Sequence, residues 1–411
     1  MRILVVTQYF WPEEFFINDL VLSLRAMGHD IEVLTGLPNY PTGQFFEGYG
    51  YRGPYRQEYQ GIPIWRSPLI PRANGAGWRL GINYLSFAVS ACIRGLLACS
   101  RRFEAVLVFE VSPITVGIPA RMMKFISGAK MFFWVQDLWP DSLKAAGGIR
   151  SERLLSWAGN LTRWIYRGAD CILIHSRAFR DHVIKTGANG DCVHYFPEWA
   201  EDLYRPIALP AEAPERRLMP TGFRIMFAGN LGEAQDLETI LAAAELTRSS
   251  SIRWLIVGDG RRAAWLREEA QRRELTKVHL LGRYPKEKMP SFFSLADVML
   301  VSLKKEPIFS MTLPTKVQAY LACGKPLLAS VDGEVSRIVQ EAEAGITVPA
   351  ESPQELAMAA MKFTTLGPEQ LQTMGLNARR YYESHFSRNF LLSRLDGLFR
   401  KYCLDSNNGK N

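Results

Sequence analysis

Short runs of β-branched and aliphatic residues alternate with amphipathic stretches along almost the whole chain, and few folds accept that alternation. A strand that is apolar on both faces needs helices on both sides of its sheet, which is the architecture of parallel, doubly wound α/β sheets. In the first half, the runs at 2–7, 31–35, 62–67, 104–110, 130–135, 170–175 and 191–195 read as strands. Helical periodicity fits 15–28, 80–100, 114–127, 151–168 and 177–187. The segment 36–61 has neither period, is rich in Gly, Pro and Tyr, and reads as one long loop. Loops of that length inside compact domains usually carry function or are disordered.

A composition break follows at 197–221, where Pro197, Pro206, Pro210, Pro214 and Pro220 sit among Ala, Glu and Arg. It reads as a linker between domains. A second strand series then begins at 223–228, 252–257, 277–281, 297–302, 326–330 and 345–348. Helices fit at 236–248, 260–273, 315–323 and 334–343, followed by 352–365, 368–384 and 387–403 and a polar tail after Leu404. A chain of 411 residues exceeds one ordinary core, and two domains of about 200 residues are the natural division. The boundaries expected are 1–200 for a first Rossmann-like domain, 201–221 for the linker, 222–385 for a second, and 386–411 for a last helix and tail. Two such domains facing each other across a cleft would set the carboxyl ends of both sheets at a shared crevice, where ligands of these sheets bind.

The formal net charge of +8 favours an acidic partner: nucleic acid, an anionic membrane or a phosphorylated substrate. Basic runs interleaved with aromatics are lacking, so nucleic acid ranks last. Cys92, Cys99, Cys171, Cys192, Cys323 and Cys403 show neither C-x-x-C nor zinc spacing, as expected of reduced cysteines in a cytosolic protein. Met1 and Arg2 run straight into an apolar strand, so no signal peptide is expected. The histidines show no pairing at ligand spacing and no D-x-D occurs, which disfavours a metal and any other cofactor. His29, in Gly28-His29-Asp30, fits an anchor for a helix-to-strand turn.

Three turns in the second half carry the strongest chemical signal. Gly229, Asn230 and Gly232 lie between a strand and the helix starting near Asp236, where glycines let the backbone approach a ligand and a helix start attracts phosphate. Gly258 ends the next strand, and Arg283 with Tyr284 ends the third. Any one of them reads equally as a tight βα turn. Met311, Thr312 and Leu313 precede Pro314 and the helix carrying Lys316, and their amides, the Thr312 hydroxyl and the Lys316 ammonium would form a diphosphate site. The plainer reading is a capped helix with a solvated lysine.

In the first half, Gln136 and Asp137 extend past the strand at 130–135, and Tyr9, Trp11 and Glu13 past the first strand. Asn39 and Tyr40 lie in a loop whose aromatics suit stacking on sugars. The stretch 80–100 is apolar, but Asn83, Ser86, Ser90, Arg94 and Arg101 recur at helical spacing, which argues against a membrane span. With Arg72, Arg79 and Arg102 beside it, the helix reads equally as one docked on anionic lipid or as one buried in the domain.

The segments FAGNLGEAQDLETILAAA, WLIVGDGR, VHLLGRYPKEKMPSFFSLADVMLVSL and PTKVQAYLACGKPLLAS resemble, in order, family 4 retaining glycosyltransferases of the GT-B fold. QYFWPEEFFINDL, GHDIEVLTGLPNYPTG, SPLIPR, NYLSFA, FWVQDLWPDS and YFPEWAEDLY resemble its subgroup from bacterial surface-polysaccharide clusters, nearest to WbuB-type L-fucosamine transferases of O-antigen and capsule assembly. The resemblance implies a retaining, metal-independent enzyme with C-terminal helices packed back on the N-terminal domain. It implies a UDP-sugar donor held mainly by the second domain, with N-acetyl-L-fucosamine or a related 6-deoxy amino sugar as cargo. The acceptor implied is a saccharide on undecaprenyl diphosphate, held by the first domain at the cytoplasmic face of the plasma membrane.

On that reading Gly229, Asn230, Gly232, Gly258, Arg283, Tyr284, Met311, Thr312, Leu313, Lys316 and Gln136 serve the donor. Tyr9, Trp11, Glu13, Asn18, Asn39 and Tyr40 serve the acceptor, with Lys316, Asp137 and Glu13 at the reaction. The sequence also departs from the family. Its E-x7-E positions are Met311 and Ala319, its phosphate-binding Arg/Lys pair falls at Asn230 and Gln235, and its active-site histidine falls at Gln136. Lys316, and with it Lys304, would then neutralise the leaving diphosphate. Three alternatives stay open: a GDP-sugar fucosyl or mannosyl transferase of exopolysaccharide synthesis, a UDP-sugar 2-epimerase of the same two-domain fold, and, given the missing glutamates, a catalytically weak binding protein.

Overall fold

The computed structural model describes residues 1–73, 77–98, 102–145 and 151–404, so Cys99, Arg101 and the tail after Leu404 lie outside the described residues. The chain divides into two compact units, Met1–Pro197 with the segment from Leu392, and Glu198–Leu391.

The first unit is built on strands β1 (Arg2–Val6), β2 (Asp30–Gly36), β3 (Arg56–Tyr59), β4 (Ile62–Ser67), β5 (Ala105–Glu110), β6 (Lys130–Val135), β7 (Cys171–Ile174) and β8 (Val193–Tyr195). Their order in the sheet is β3-β4-β2-β1-β5-β6-β7-β8, parallel except for the β3–β4 pair. Strand β5 is buried at every residue, as its unbroken apolar run requires.

The long loop expected over 36–61 in fact contains β3. Gln60 and Gly61 both take positive φ, 48° and 79°, and this turn folds β3 back antiparallel onto β4 with Tyr59 opposite Ile62. Its Arg-Gln-Glu-Tyr sequence has no apolar alternation because it is an edge strand with exposed Arg56 and Glu58. Short helices at Asp141–Ala145, Met289–Leu295 and Pro307–Met311 also went unread, being too short to show a period.

Helix Gly77–Ala98 turns its polar stripe inward, towards the segment after β4. Asn83 is fully buried and donates to the Ile70 carbonyl at 2.7 Å, Ser86 accepts from the Ile70 amide at 2.9 Å, and Ser90 donates to the Pro68 carbonyl at 2.5 Å. These polar groups satisfy the backbone of the irregular segment after β4, which runs beneath the helix. The outward face carries Trp78, Ile82, Leu85, Val89, Ile93, Leu96 and Leu97, all exposed. The helix packs on Gly117–Ser127, which in turn packs on Glu152–Gly168. Those neighbours expose Phe125, at 89%, together with Ile126, Leu154, Trp157 and Trp164.

The last helix, Arg388–Cys403, supplies the first unit with Phe399, whose ring meets Phe132 at 4.7 Å. Its Asp396 lies 3.3 Å from the ring of His29, the residue just before β2.

The second unit holds β9 (Phe223–Ala228), β10 (Ile252–Val257), β11 (Val278–Gly282), β12 (Val298–Ser302), β13 (Leu327–Ser330) and β14 (Gly345–Val348). The order β11-β10-β9-β12-β13-β14 is all parallel, with the direction of winding reversing between β9 and β12. In the first unit the same reversal falls between β1 and β5. Sheets of this kind bind ligands at the carboxyl ends of the strands flanking such a reversal.

Candidate functional site

At the reversal in the second unit, the ends of three adjacent strands are laced together by main-chain bonds. Gly229 N–H donates to Val257 O at 2.9 Å, Gly258 N–H to Gly282 O at 2.8 Å, and Leu231 N–H to Asp259 O at 2.8 Å. This lacing explains Gly258. Its φ is 144°, and a Cβ there would stand 1.9 Å from the Gly229 carbonyl oxygen. Three turns that were each ambiguous in sequence therefore form one surface.

Helix Thr315–Ala322 is pinned to that surface by Tyr320, whose hydroxyl accepts from Ala228 N–H at 3.0 Å and donates to Ala228 O at 2.9 Å. Lys316 lies four residues earlier, on the same helical face. Its ammonium lies 4.0 Å from the centroid of the Phe227 ring and donates to Gln235 Oε1 at 2.6 Å. A Cβ on Gly229 would meet the Lys316 Nζ at 3.1 Å, so the glycine leaves room for the cation. Burial pushes the Lys316 ammonium down to about 7, and among the described residues no carboxylate pairs with it. A desolvated lysine without an acid partner is suited to an incoming anion.

Lys304, by contrast, is engaged. It pairs with Glu233 at 3.3 Å, and Glu233 also holds Arg262 at 2.7 Å. Arg262 reaches Glu238 at 2.6 Å and lies over the Trp265 ring at 3.8 Å. These pairs fasten the turn after β9, and Lys304 is not the free cation expected.

The amides of 311–313 are not all free either. Thr312 N–H donates to Phe309 O at 3.3 Å and its hydroxyl to Ile308 O at 2.8 Å, because Pro307–Met311 forms a short helix with its own terminal turn. Met311 closes that helix, and Leu313 is buried. Asn230 lies between the glycine turns, its Nδ2 2.9 Å from where a Gly232 Cβ would stand. Arg283 is exposed just past β11, and Tyr284 packs on Phe292 at 4.5 Å.

In the first unit the ends of β1 and β2 are joined by Glu13. Its Oε1 accepts from the amides of Asn39 and Tyr40, both at 2.8 Å, and its Oε2 from Phe10 N–H at 3.2 Å. Burial raises its carboxyl to about 7 against the pull of those amides. Asn18 does similar work, donating to Glu13 O at 2.7 Å and accepting from Trp11 N–H at 3.1 Å. Glu13 and Asn18 thus hold loops in place, with three main-chain amides donating to the Glu13 carboxyl that was expected to orient a reacting hydroxyl.

Tyr9, Phe15 and Tyr40 form an aromatic cluster, with Tyr9 5.1 Å from Phe15 and 5.7 Å from Tyr40. Trp11 leaves it and stacks on Tyr59 of β3 at 5.1 Å. Buried Asn39 donates to Leu37 O at 3.1 Å, and Gln8 reaches Asn83 at 2.7 Å.

At the ends of β5 and β6, Asp137 N–H donates to Glu110 Oε2 at 3.4 Å and Gln136 N–H to Glu110 O at 3.0 Å. Glu110 is wholly buried, its carboxyl pushed well up by burial and by Asp137 beside it, while burial raises Asp137 to about 7. Glu110 Oε1, Gln136 Nε2 and the Tyr166 hydroxyl are buried without hydrogen-bond partners among the described residues. Such orphaned polar atoms mark a place for a ligand or water. Glu110 is a site residue that sequence reading missed, although a lone acid closing an apolar strand was the signal. Gln136 lies in the first unit, and the donor-side cluster above forms without it. Among the described residues no three His, Cys, Asp or Glu side chains gather as metal ligands.

Two family models match the chain, one described as glycosyl transferase 4-like domain over residues 14–199 and one as glycosyl transferases group 1 over residues 222–365. The chain is 29% identical over 338 residues to the colanic acid biosynthesis glycosyl transferase WcaI of Escherichia coli K12, covering 79% of this chain and 82% of the relative. Among solved structures it is similar to Anabaena HepE in complex with UDP, with a TM-score of 0.70 at 14% identity over 98% of this chain and 100% of the other. It is likewise similar to WaaG, a glycosyltransferase involved in lipopolysaccharide biosynthesis, with a TM-score of 0.65 at 14% identity over 97% and 99%.

Proposed function

Since the chain is a glycosyltransferase of family 4 with the GT-B fold, we propose that it transfers a sugar from a UDP carrier to a lipid-linked saccharide during assembly of a bacterial surface polysaccharide. The observation that carries this reading is Lys316, a desolvated cation with no acid partner among the described residues, set among the glycine turns of the second unit. A nucleoside diphosphate would supply the missing negative charge. HepE, similar in fold, is a UDP complex, which supports UDP as the carrier.

Transfer proceeds with retention, and no metal or other cofactor takes part. Lys316 and the backbone amides of the glycine turns stabilise the departing UDP, a form of catalysis that works through positioning and charge rather than proton transfer. The sugar is a 6-deoxy amino sugar of the N-acetyl-L-fucosamine type. Gln136, at the position of the family's histidine, fits a donor that lacks a 6-hydroxyl. In the first unit, Asp137 with Glu110 meets the acceptor hydroxyl, and exposed Tyr40, backed by buried Tyr9, meets the acceptor sugar. WcaI and WaaG, by their names, belong to colanic acid and lipopolysaccharide biosynthesis, which supports a polysaccharide product.

The protein works on the cytoplasmic face of the membrane, bound through the exposed apolar residues of helices Gly77–Ala98, Gly117–Ser127 and Glu152–Gly168. Arg79 and Arg163 lie exposed on two of the same helices and would meet anionic headgroups.

The test is a panel of UDP- and GDP-sugars offered with polyprenyl-diphosphate-linked acceptors and followed by mass spectrometry. A mass gain on the lipid with a UDP donor supports the proposal. A gain only with GDP donors overturns the choice of carrier. Isomerised donor without acceptor marks an epimerase.

A further inference from the structure

We propose that Arg72 binds the anionic head of an amphiphile, a phosphate or diphosphate ester whose hydrocarbon tail lies along the outer face of helix Gly77–Ala98. This rests on the lipid-linked acceptor above and names the residue that would hold it. Four features of the first unit carry it: the state of the Arg72 guanidinium, the engagement of its neighbours, the acids around it, and the surface beside it.

Arg72 donates through Nη2 to the Tyr9 hydroxyl and lies over two rings, 5.3 Å from the Tyr9 centroid and 4.9 Å from that of Tyr40. Its amide reaches Asn39 Oδ1 at 3.5 Å. The guanidinium plane is therefore fixed, yet Nε is buried without a hydrogen-bond partner and, among the described residues, no carboxylate pairs with it. A fixed guanidinium fork with unused donors matches the two oxygens of a phosphate ester.

Arg66 shows the contrast. It is fully buried and donates to Trp11 O, to Gly36 O at 3.1 Å and to Gln57 Oε1, so its donors serve the fold. Arg94 lies over Tyr55 at 4.5 Å. Glu13 shares the surroundings of Tyr9 with Arg72, and Asp137 those of Tyr84; neither carboxylate pairs with Arg72 among the described residues, and that of Glu13 accepts from the amides of Phe10, Asn39 and Tyr40.

Arg72 also stands where head and tail of an amphiphile can both be met. It ends the segment that Asn83, Ser86 and Ser90 fasten beneath helix Gly77–Ala98. Exposed Ile70 lies in that segment, and exposed Trp78, Ile82 and Leu85 follow on the helix. An inorganic anion would use only the arginine. An ester with a prenyl or acyl chain would also cover this apolar surface and gain from each methylene it buries.

Binding to the full-length protein is measured with farnesyl diphosphate, inorganic diphosphate and farnesol, for Lys316→Ala alone and combined with Arg72→Gln or Arg72→Lys. In the Lys316→Ala background, which removes the diphosphate site assigned to the second unit, adding Arg72→Gln is expected to weaken farnesyl diphosphate binding about tenfold or more, the size of one charge-assisted contact. Arg72→Lys in that background should recover part of the loss, and the other two probes should bind Lys316→Ala about tenfold or more weakly than the ester. In transfer assays Arg72→Gln should raise the acceptor KM and leave the donor KM unchanged.

Equal binding of farnesyl diphosphate by Lys316→Ala and a folded Lys316→Ala/Arg72→Gln overturns the proposal. So does inorganic diphosphate binding to Lys316→Ala as tightly as the ester. The parent reading fails separately: Arg72-dependent binding with no sugar transfer would refute the transferase acceptor and keep the amphiphile site. Transfer with an unchanged acceptor KM in Arg72→Gln would do the reverse.

Discussion

The Lys316 ammonium donates to the Gln235 amide oxygen at 2.6 Å, beneath a turn whose acid, Glu233, is already taken by Arg262 and Lys304. The second unit thus holds a desolvated cation at the glycine turns, with a neutral hydrogen-bond partner and the Phe227 ring beside it and no carboxylate paired with it among the described residues. On the proposed reading this lysine meets the diphosphate.

Donor binding should therefore be coupled to proton uptake. Burial brings Lys316 down to about 7, and a bound diphosphate draws it up again because it favours the charged form. Below pH 7 the lysine is already protonated. As pH rises above 7, binding must bring in a proton, and UDP affinity should fall by up to about tenfold per pH unit. Calorimetry at pH 8 in buffers of different ionisation enthalpy should show proton uptake in wild type and none in Lys316→Ala.

Gly258→Ala should disrupt the donor surface without touching a charge. The new Cβ would fall 1.9 Å from the Gly229 carbonyl oxygen at a φ of 144°. Unfavourable backbone costs about 1–2 kcal/mol and overpacking about 1–3 kcal/mol more. Thermal unfolding should show a lower midpoint for the second unit, and UDP binding should be lost along with it.

The buried carboxyls of the first unit should make it less stable as pH rises. Asp137 sits at about 7 in the folded chain, above its ordinary value of 3.8. Its stabilisation is complete below 3.8 and is lost as pH rises through about 7, because the unfolded chain binds fewer protons in that window. Glu110 and Glu13 act in the same direction. Asp137→Asn should flatten the fall in melting temperature between pH 4 and 8 and leave the variant more stable than wild type at pH 8.

The paired sheets were legible because buried parallel strands such as β5 and β7 are continuous apolar runs up to their last residues. Lys316 was legible because it opens a helix after a proline. What failed was whatever depended on partners distant in sequence. Glu13 reads as an exposed acid after a strand, and only the fold shows three amides upon it. Helix Gly77–Ala98 shows two stripes, and composition cannot say that the polar one turns inward to serve Pro68 and Ile70. Arg72 was visible only as a charge beside that helix, since its aromatic neighbours come from the ends of other strands.

The outward apolar face should bind anionic membranes. Full-length protein should float with phosphatidylglycerol vesicles, and Leu85→Ser/Val89→Ser/Ile93→Ser should reduce binding by about a hundredfold or more, given about 1.5–3 kcal/mol for each inserted aliphatic side chain. These side chains are exposed, so folding should be unchanged. Equal flotation of the variant and wild type would refute this face as the contact.

The most direct measurement is kcat/KM for sugar transfer by wild type and Lys316→Ala on one lipid-linked acceptor. Loss of a charge contact to the departing diphosphate should cost about 2–4 kcal/mol, a fall of roughly thirtyfold to nearly a thousandfold, with the variant still folded. Transfer by Lys316→Ala at the wild-type rate would contradict the assignment of the diphosphate to this lysine.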